Sequence, residues 1–94
     1  METSNKKGMT ARRPSQEEIA STKTWGEWSK SPSEFEWDYN EKETCYILEG
    51  KAEVTDESGH SIAFEAGDWV VFEKGIRCSW KVDKTIRNRY KFGD

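Results

Sequence analysis

From Trp25 onward, large apolar residues alternate with polar ones at a period of two, and turn residues interrupt the alternation at short intervals. Phe35, Trp37 and Tyr39 alternate with Glu34, Glu36 and Asp38. Ala52 and Val54 alternate with Lys51, Glu53 and Thr55, and Ile62 and Phe64 with Ser61, Ala63 and Glu65. Ile76, Cys78, Trp80 and Val82 alternate with Arg77, Ser79, Lys81 and Asp83. A period of two puts one set of side chains on each face of a strand. Trp25 to Trp28 reads as a further short strand, Thr44 to Glu49 and Trp69 to Phe72 as compact buried ones, and Ile86 to Phe92 as the closing one. The breaks, Ser31-Pro32-Ser33, Asn40 to Lys42, Asp56-Glu57-Ser58-Gly59, Ala66-Gly67-Asp68 and Lys74-Gly75, carry turn chemistry. Seven or eight short strands with turns every eight to twelve residues predict an all-β sandwich or barrel. No helical pattern separates the strands, which argues against a parallel β-α-β sheet.

The first thirteen residues differ in kind. They contain no aromatic residue, Val, Ile or Leu, and read as a disordered basic tail, leaving residues 14–94 as one barrel domain. Lys6, Lys7, Arg12 and Arg13 against Glu2 leave this tail at +3, so the chain's −3 puts the remainder at −6. A body of that charge argues against nucleic acid as a partner, because phosphates require a basic face. Pro14-Ser15-Gln16-Glu17-Glu18 predicts a short N-terminal helix, with Ser15 as cap and Glu18 at the capping-box position. No apolar run is long enough to span a membrane and no secretory signal is present, so no membrane partner is expected. Cys45 and Cys78 show neither CxxC spacing nor scaffold density, which fits reduced thiols in a cytoplasmic protein. A domain this small buries only about 60% of its unfolded surface, so a homodimer is expected to add burial.

Two segments resemble the paired signatures of the cupin superfamily, which folds as a small jelly-roll barrel. Glu43 is followed by six residues and then Gly50, as in the second half of the first signature. Gly67 is followed by five residues, then Glu73-Lys74-Gly75, Ile76-Arg77 and Cys78, matching the glycines of the second signature. Glu73 stands where that signature has Pro, and Cys78 where it has His. The stretch from Trp25 to Phe92 is similar to small single-domain cupins grouped with the cupin domain of ureidoglycine aminohydrolase. Gly50, Gly67 and Gly75 are expected where strands reverse, since turns often need a positive φ.

The resemblance implies a metal site of three His and one Glu on inward-facing positions. The one histidine, His60, lies in a predicted hairpin turn. The two His positions of the first signature fall on Trp37 and Tyr39 at one allowed spacing, and on Glu36 and Asp38 at the other. The aromatic pair is favoured, because it forms the apolar side of its strand. No cofactor is then expected; a divalent transition metal stays open, with Glu43 and Cys78 as its ligands. The reading is a barrel pocket lined by Trp37, Tyr39, Glu43, Cys78 and Trp80 that binds a small molecule. Aromatic walls with one carboxylate suit a cationic or hydroxylated ligand. The alternative is a metal-dependent hydrolase resembling ureidoglycine aminohydrolase. Tyr46 and Tyr90 are further candidates to place hydroxyls in the pocket, and Arg87 and Arg89 to pair with carboxylates or an anionic ligand.

Overall fold

The structure, a computed structural model, describes residues 8–93 and the backbone path of residues 4–6. Two long strands organise it. β5 (Glu43–Asp56) and β8 (Arg77–Phe92) run antiparallel along nearly their whole lengths, from Glu43 opposite Phe92 to Asp56 opposite Cys78. Each changes its outer partner halfway. The first part of β5 pairs with β7 (Trp69–Phe72), the second with β6 (Ser61–Glu65). The first part of β8 pairs with β4 (Ser33–Asp38), the second with β3 (Gly26–Lys30). β7 also pairs with β2 (Met9–Arg12), which pairs with β1 (Ser4–Lys6). The antiparallel strands so form two faces, β1-β2-β7-β5-β8-β3 and β6-β5-β8-β4, that share the two bent central strands. Such a double-sheet arrangement is the jelly-roll solution to covering an apolar interior.

The bend in β5 lies at Gly50. Its φ is +92°, and a Cβ there would run into the Thr85 carbonyl and the Ile86 Cα on β8. The β5–β8 register shifts on both sides of this position, between Ile47 and Ala52. Gly50 therefore lies inside a continuous strand at its corner, where the sequence suggests a reversal. Ile76–Val82 and Ile86–Phe92 likewise join into the single strand β8, because the polar residues Asp83 to Thr85 stay extended through the corner.

The apolar side of each alternation faces the interior. Ile47, Ala52, Val54, Val70, Phe72 and Ile86 are wholly buried, with Ile62, Phe64, Trp80 and Val82 nearly so. Rings dominate the centre. Phe72 stacks on Tyr39 at 4.8 Å between centroids, and Trp80 meets Phe64 and Phe72 at 5.5 Å each. Offset and edge contacts of this kind add to the burial of the rings themselves.

One boundary is corrected. A disordered tail over residues 1–13 does not hold for residues 9–12, which form strand β2 against β7 with Met9 wholly buried and Ala11 nearly so. Residues 1–3 and 7 lie outside the described residues. Two of the basic residues that suggested a tail, Arg12 and Arg13, are paired with nearby carboxylates. Arg12 grips Glu18 at 2.9 and 2.6 Å, and Arg13 reaches Asp68 at 3.2 Å and Glu65 at 3.5 Å. The short helix α1 (Gln16–Ser21) has the expected capping box: Ser15 Oγ accepts from the Glu18 N–H, and Glu18 from the Ser15 N–H. Arg12 first, and then the capping hydrogen bond, hold the Glu18 carboxyl down at about 2. Among the described residues no helix is long and apolar enough to cross a membrane.

Candidate functional site

At one end the barrel opens into a cavity of about 200 Å³. Its position follows from the strand registers. Phe35 and Trp37 of β4, and Tyr39 just beyond its end, face the cavity, while Glu36 and Asp38 are exposed. Asp38 instead meets Arg77 across the strand pair at 3.3 Å. This resolves the spacing left open by the sequence in favour of the aromatic pair. In β8 the even residues line the same space: Trp80, Asn88, Tyr90 and Phe92. Trp28 comes from β3 and Glu43 from the start of β5. Trp28, Phe35 and Trp80 form one wall, with centroids 5.7 to 6.1 Å apart. Trp37 and Phe92 stand at the mouth, 48% and 43% exposed.

Glu43 is the acidic group of this lining. The Tyr39 hydroxyl, on a ring only 3% exposed, donates to Glu43 Oε1 at 2.8 Å. Burial pushes the Glu43 carboxyl up, while hydrogen bonds from Tyr39 and the Cys45 thiol pull the other way and only partly offset it. Burial, and then the charge of Glu43, raise the Tyr39 phenol far above its ordinary value, so it stays a donor. The fully buried Cys45 thiol lies between Glu43 and Asn88, and burial raises it too. These groups form a polar seam, from Tyr39 through Glu43 and Cys45 to Asn88, along one side of an aromatic chamber.

Four of the five pocket residues read from the sequence, Trp37, Tyr39, Glu43 and Trp80, come together here. Cys78 does not join the lining. It is 7% exposed, its Sγ lies 3.4 Å from the Trp37 carbonyl, and burial, with Asp38 next, pushes its thiol up to about 12. Tyr90 lines the cavity, whereas Tyr46 does not. Arg87 pairs with Glu49 at 2.5 Å and Glu27 at 3.1 Å, and Arg89 donates to Thr22 Oγ1 at 3.0 Å, so neither faces the cavity. His60 sits at the β5–β6 turn beside Asp56, with Nδ1 3.4 Å from a carboxylate oxygen. Asn88, 1% exposed, is the residue the sequence reading missed. Its signal was available in the order Ile86, Asn88, Tyr90, Phe92: a polar residue on the apolar side of the closing strand.

The double sheet and its one-ended cavity define a small cupin. A scan against family models matches the EutQ-like cupin domain over residues 17–90. The chain belongs to that family. Among solved structures it is similar to a DUF861 family protein from Thermotoga maritima at 45% identity and TM-score 0.86, over 89% of this chain and 98% of that one. It shares the fold of a putative ethanolamine utilization protein Q from Salmonella typhimurium, at 24% identity and TM-score 0.67, over 90% of this chain and 68% of that one. It also shares the fold of the Clostridium difficile EutQ protein, at 16% identity and TM-score 0.67, over 90% and 56% of the two chains. No curated protein matches the chain.

Cupins can bind metals, but the donor set of this cavity does not fit such a centre. Among the described residues no group of three or more His, Cys, Asp and Glu is placed to hold an ion. Of the two ligands the sequence offered, Glu43 lines the cavity and Cys78 does not.

Proposed function

We propose that the barrel binds one small organic molecule, with its flat or apolar part against the aromatic wall and a polar group on Glu43, without the histidine-based metal site of other cupins. The observation that carries this reading is the position of Glu43, a carboxyl held by Tyr39 inside a ring-lined cavity that opens at one end. The size suits it: a cavity of about 150 Å³ accepts a benzene ring, and this one has about 200 Å³. Rings supply area and stacking, and the few polar groups fix orientation.

A thermal-shift screen of single-ring and small polar compounds tests it, with tryptophan fluorescence as a second readout because Trp28, Trp37 and Trp80 all line the cavity. Binders are expected to raise Tm by mass action and to perturb the emission. A screen in which nothing raises Tm overturns the reading. A rise produced by Mn²⁺ or Zn²⁺ alone and abolished by Glu43→Gln supports the metal-dependent hydrolase instead.

A further inference from the structure

We infer that the cavity takes a quaternary ammonium, held by the charge of Glu43 and the faces of the surrounding rings and not by N–H hydrogen bonds. This rests on the pocket reading above and narrows its polar group to one chemical class. Seven of the nine residues that line the cavity are aromatic, and they come from β3, from β4 and the residue after it, and from β8. Glu43 is the one charged residue among the nine. Rings from several strands with a single carboxyl among them suit a cation whose charge is spread over methyl groups.

The lining selects the sign of the charge. Glu43 is half-buried and lines the cavity, and the Tyr39 hydroxyl donates to its Oε1 at 2.8 Å, a bond that favours the carboxylate. No Lys, Arg or His is among the residues that line the cavity. Arg87 and Arg89 occupy the alternate positions of β8 and are engaged by Glu27, Glu49 and Thr22. An anion would meet a carboxylate with nothing to balance it, whereas a cation balances it. Lys30, exposed at the end of β3, already places its ammonium over the Phe35 ring, 5.3 Å from the centroid, so a ring of this wall accepts positive charge on its face.

The shortage of acceptors selects the kind of cation. A primary ammonium brings three N–H donors out of water, and each one left unpaired weakens binding. Glu43 already accepts from Tyr39, and the Asn88 Oδ1 is buried beneath the cavity surface. The indole N–H groups of Trp28, Trp37 and Trp80 are donors, not acceptors. The Tyr90 hydroxyl lies over Gly26 of β3, 2.9 Å from where a Cβ would stand. A quaternary ammonium needs no acceptor: its charge faces Glu43 and its methyl groups lie against the rings.

Four probes that share one ring separate these contributions: benzyltrimethylammonium, benzylamine, benzyl alcohol and benzoate. Calorimetric titration into the full chain at pH 8 is expected to rank benzyltrimethylammonium tightest. The margin should be about tenfold or more over benzyl alcohol and roughly fivefold or more over benzylamine, with benzoate weakest. Glu43→Gln should weaken benzyltrimethylammonium by about tenfold and leave benzyl alcohol nearly unchanged. Trp37→Leu removes a ring that is 48% exposed, so the fold is expected to survive it. It should weaken benzyltrimethylammonium by roughly two- to fivefold, more than benzyl alcohol, and Trp37→Phe should restore most of the loss. Melting curves check that each variant folds.

Benzylamine binding as tightly as benzyltrimethylammonium, or more tightly, overturns the inference while leaving the pocket reading intact. Equal binding of benzyl alcohol or benzoate does the same. So does benzyltrimethylammonium affinity that is unchanged in both Glu43→Gln and Trp37→Leu. If none of the four probes binds, the inference falls, and the library screen then decides the fate of the pocket reading.

Discussion

Glu18 and Glu43 lie in opposite environments, and their effects on stability have opposite signs. Glu18 is held well below its ordinary value by Arg12, so its contribution is present above the unfolded carboxyl value and lost as pH falls towards about 2. Glu43 is raised, so the fold is favoured while its carboxyl is protonated, and that advantage is lost as pH rises from about 4.5 through the folded value. Glu43→Gln keeps an acceptor for Tyr39 but cannot ionise. Its Tm should match the wild type near pH 4 and exceed it at pH 8, as read by thermal melts across that range. A variant that melts below the wild type at pH 8 would show that the carboxylate is not the penalised form. At this scale the site was partly legible. Glu43 was visible because its spacing to Gly50 fixed its place, and Trp37, Tyr39 and Trp80 because they alternate. Cys78 was misplaced because alternation gives a face, not a depth: it is buried, with its thiol at the Trp37 carbonyl, and does not join the lining. Asn88 was missed because a lone asparagine in a strand reads as surface until its apolar neighbours on the same face are counted.

Among the elements, β5 shows how one residue lets a strand serve two sheets. Gly50 combines a φ of +92° with backbone packed where a side chain would start. Gly50→Ala imposes left-handed strain of about 1–3 kcal/mol, before any displacement of β8 is counted. Urea unfolding should show at least that loss, while Gly59→Ala, at an open turn with similar φ, should lose only the conformational part. Equal losses at the two glycines would mean that the close approach to Thr85 is not a determinant. The same corner explains what the sequence concealed. Turn residues punctuate hairpins reliably, as at Ala66-Gly67-Asp68, but a glycine at a bend inside a strand has the same letters as one at a reversal. Only the pairing of β5 with both β6 and β7 tells them apart.

For the whole molecule, the N-terminal segment is the place where composition misled. Thirteen residues without a large aliphatic or aromatic side chain lack the content of a core strand, yet Met9 and Ala11 need only one inward face, and β7 provides an edge that requires a partner. Met9 is wholly buried, in the same core as Phe72. Met9→Ala should therefore cost about 2–5 kcal/mol, the range for truncating a buried methionine, whereas a disordered tail would lose nothing. Denaturant titration distinguishes the two directly. The flexible thioether suits this place, because it fills space beside rigid rings without demanding one shape.

The pairing scheme also bears on how the chain is made. β8 supplies the hydrogen-bonding partner for β3, for β4 and for most of β5. On a ribosome those three strands emerge first and must wait, their edges unpaired, until the sixteen residues of β8 follow. Local pairs such as β5–β6 can form early, but the barrel cannot close by degrees. A nascent chain stalled before Arg77 should remain sensitive to protease, and resistance should appear abruptly once Phe92 has cleared the exit tunnel.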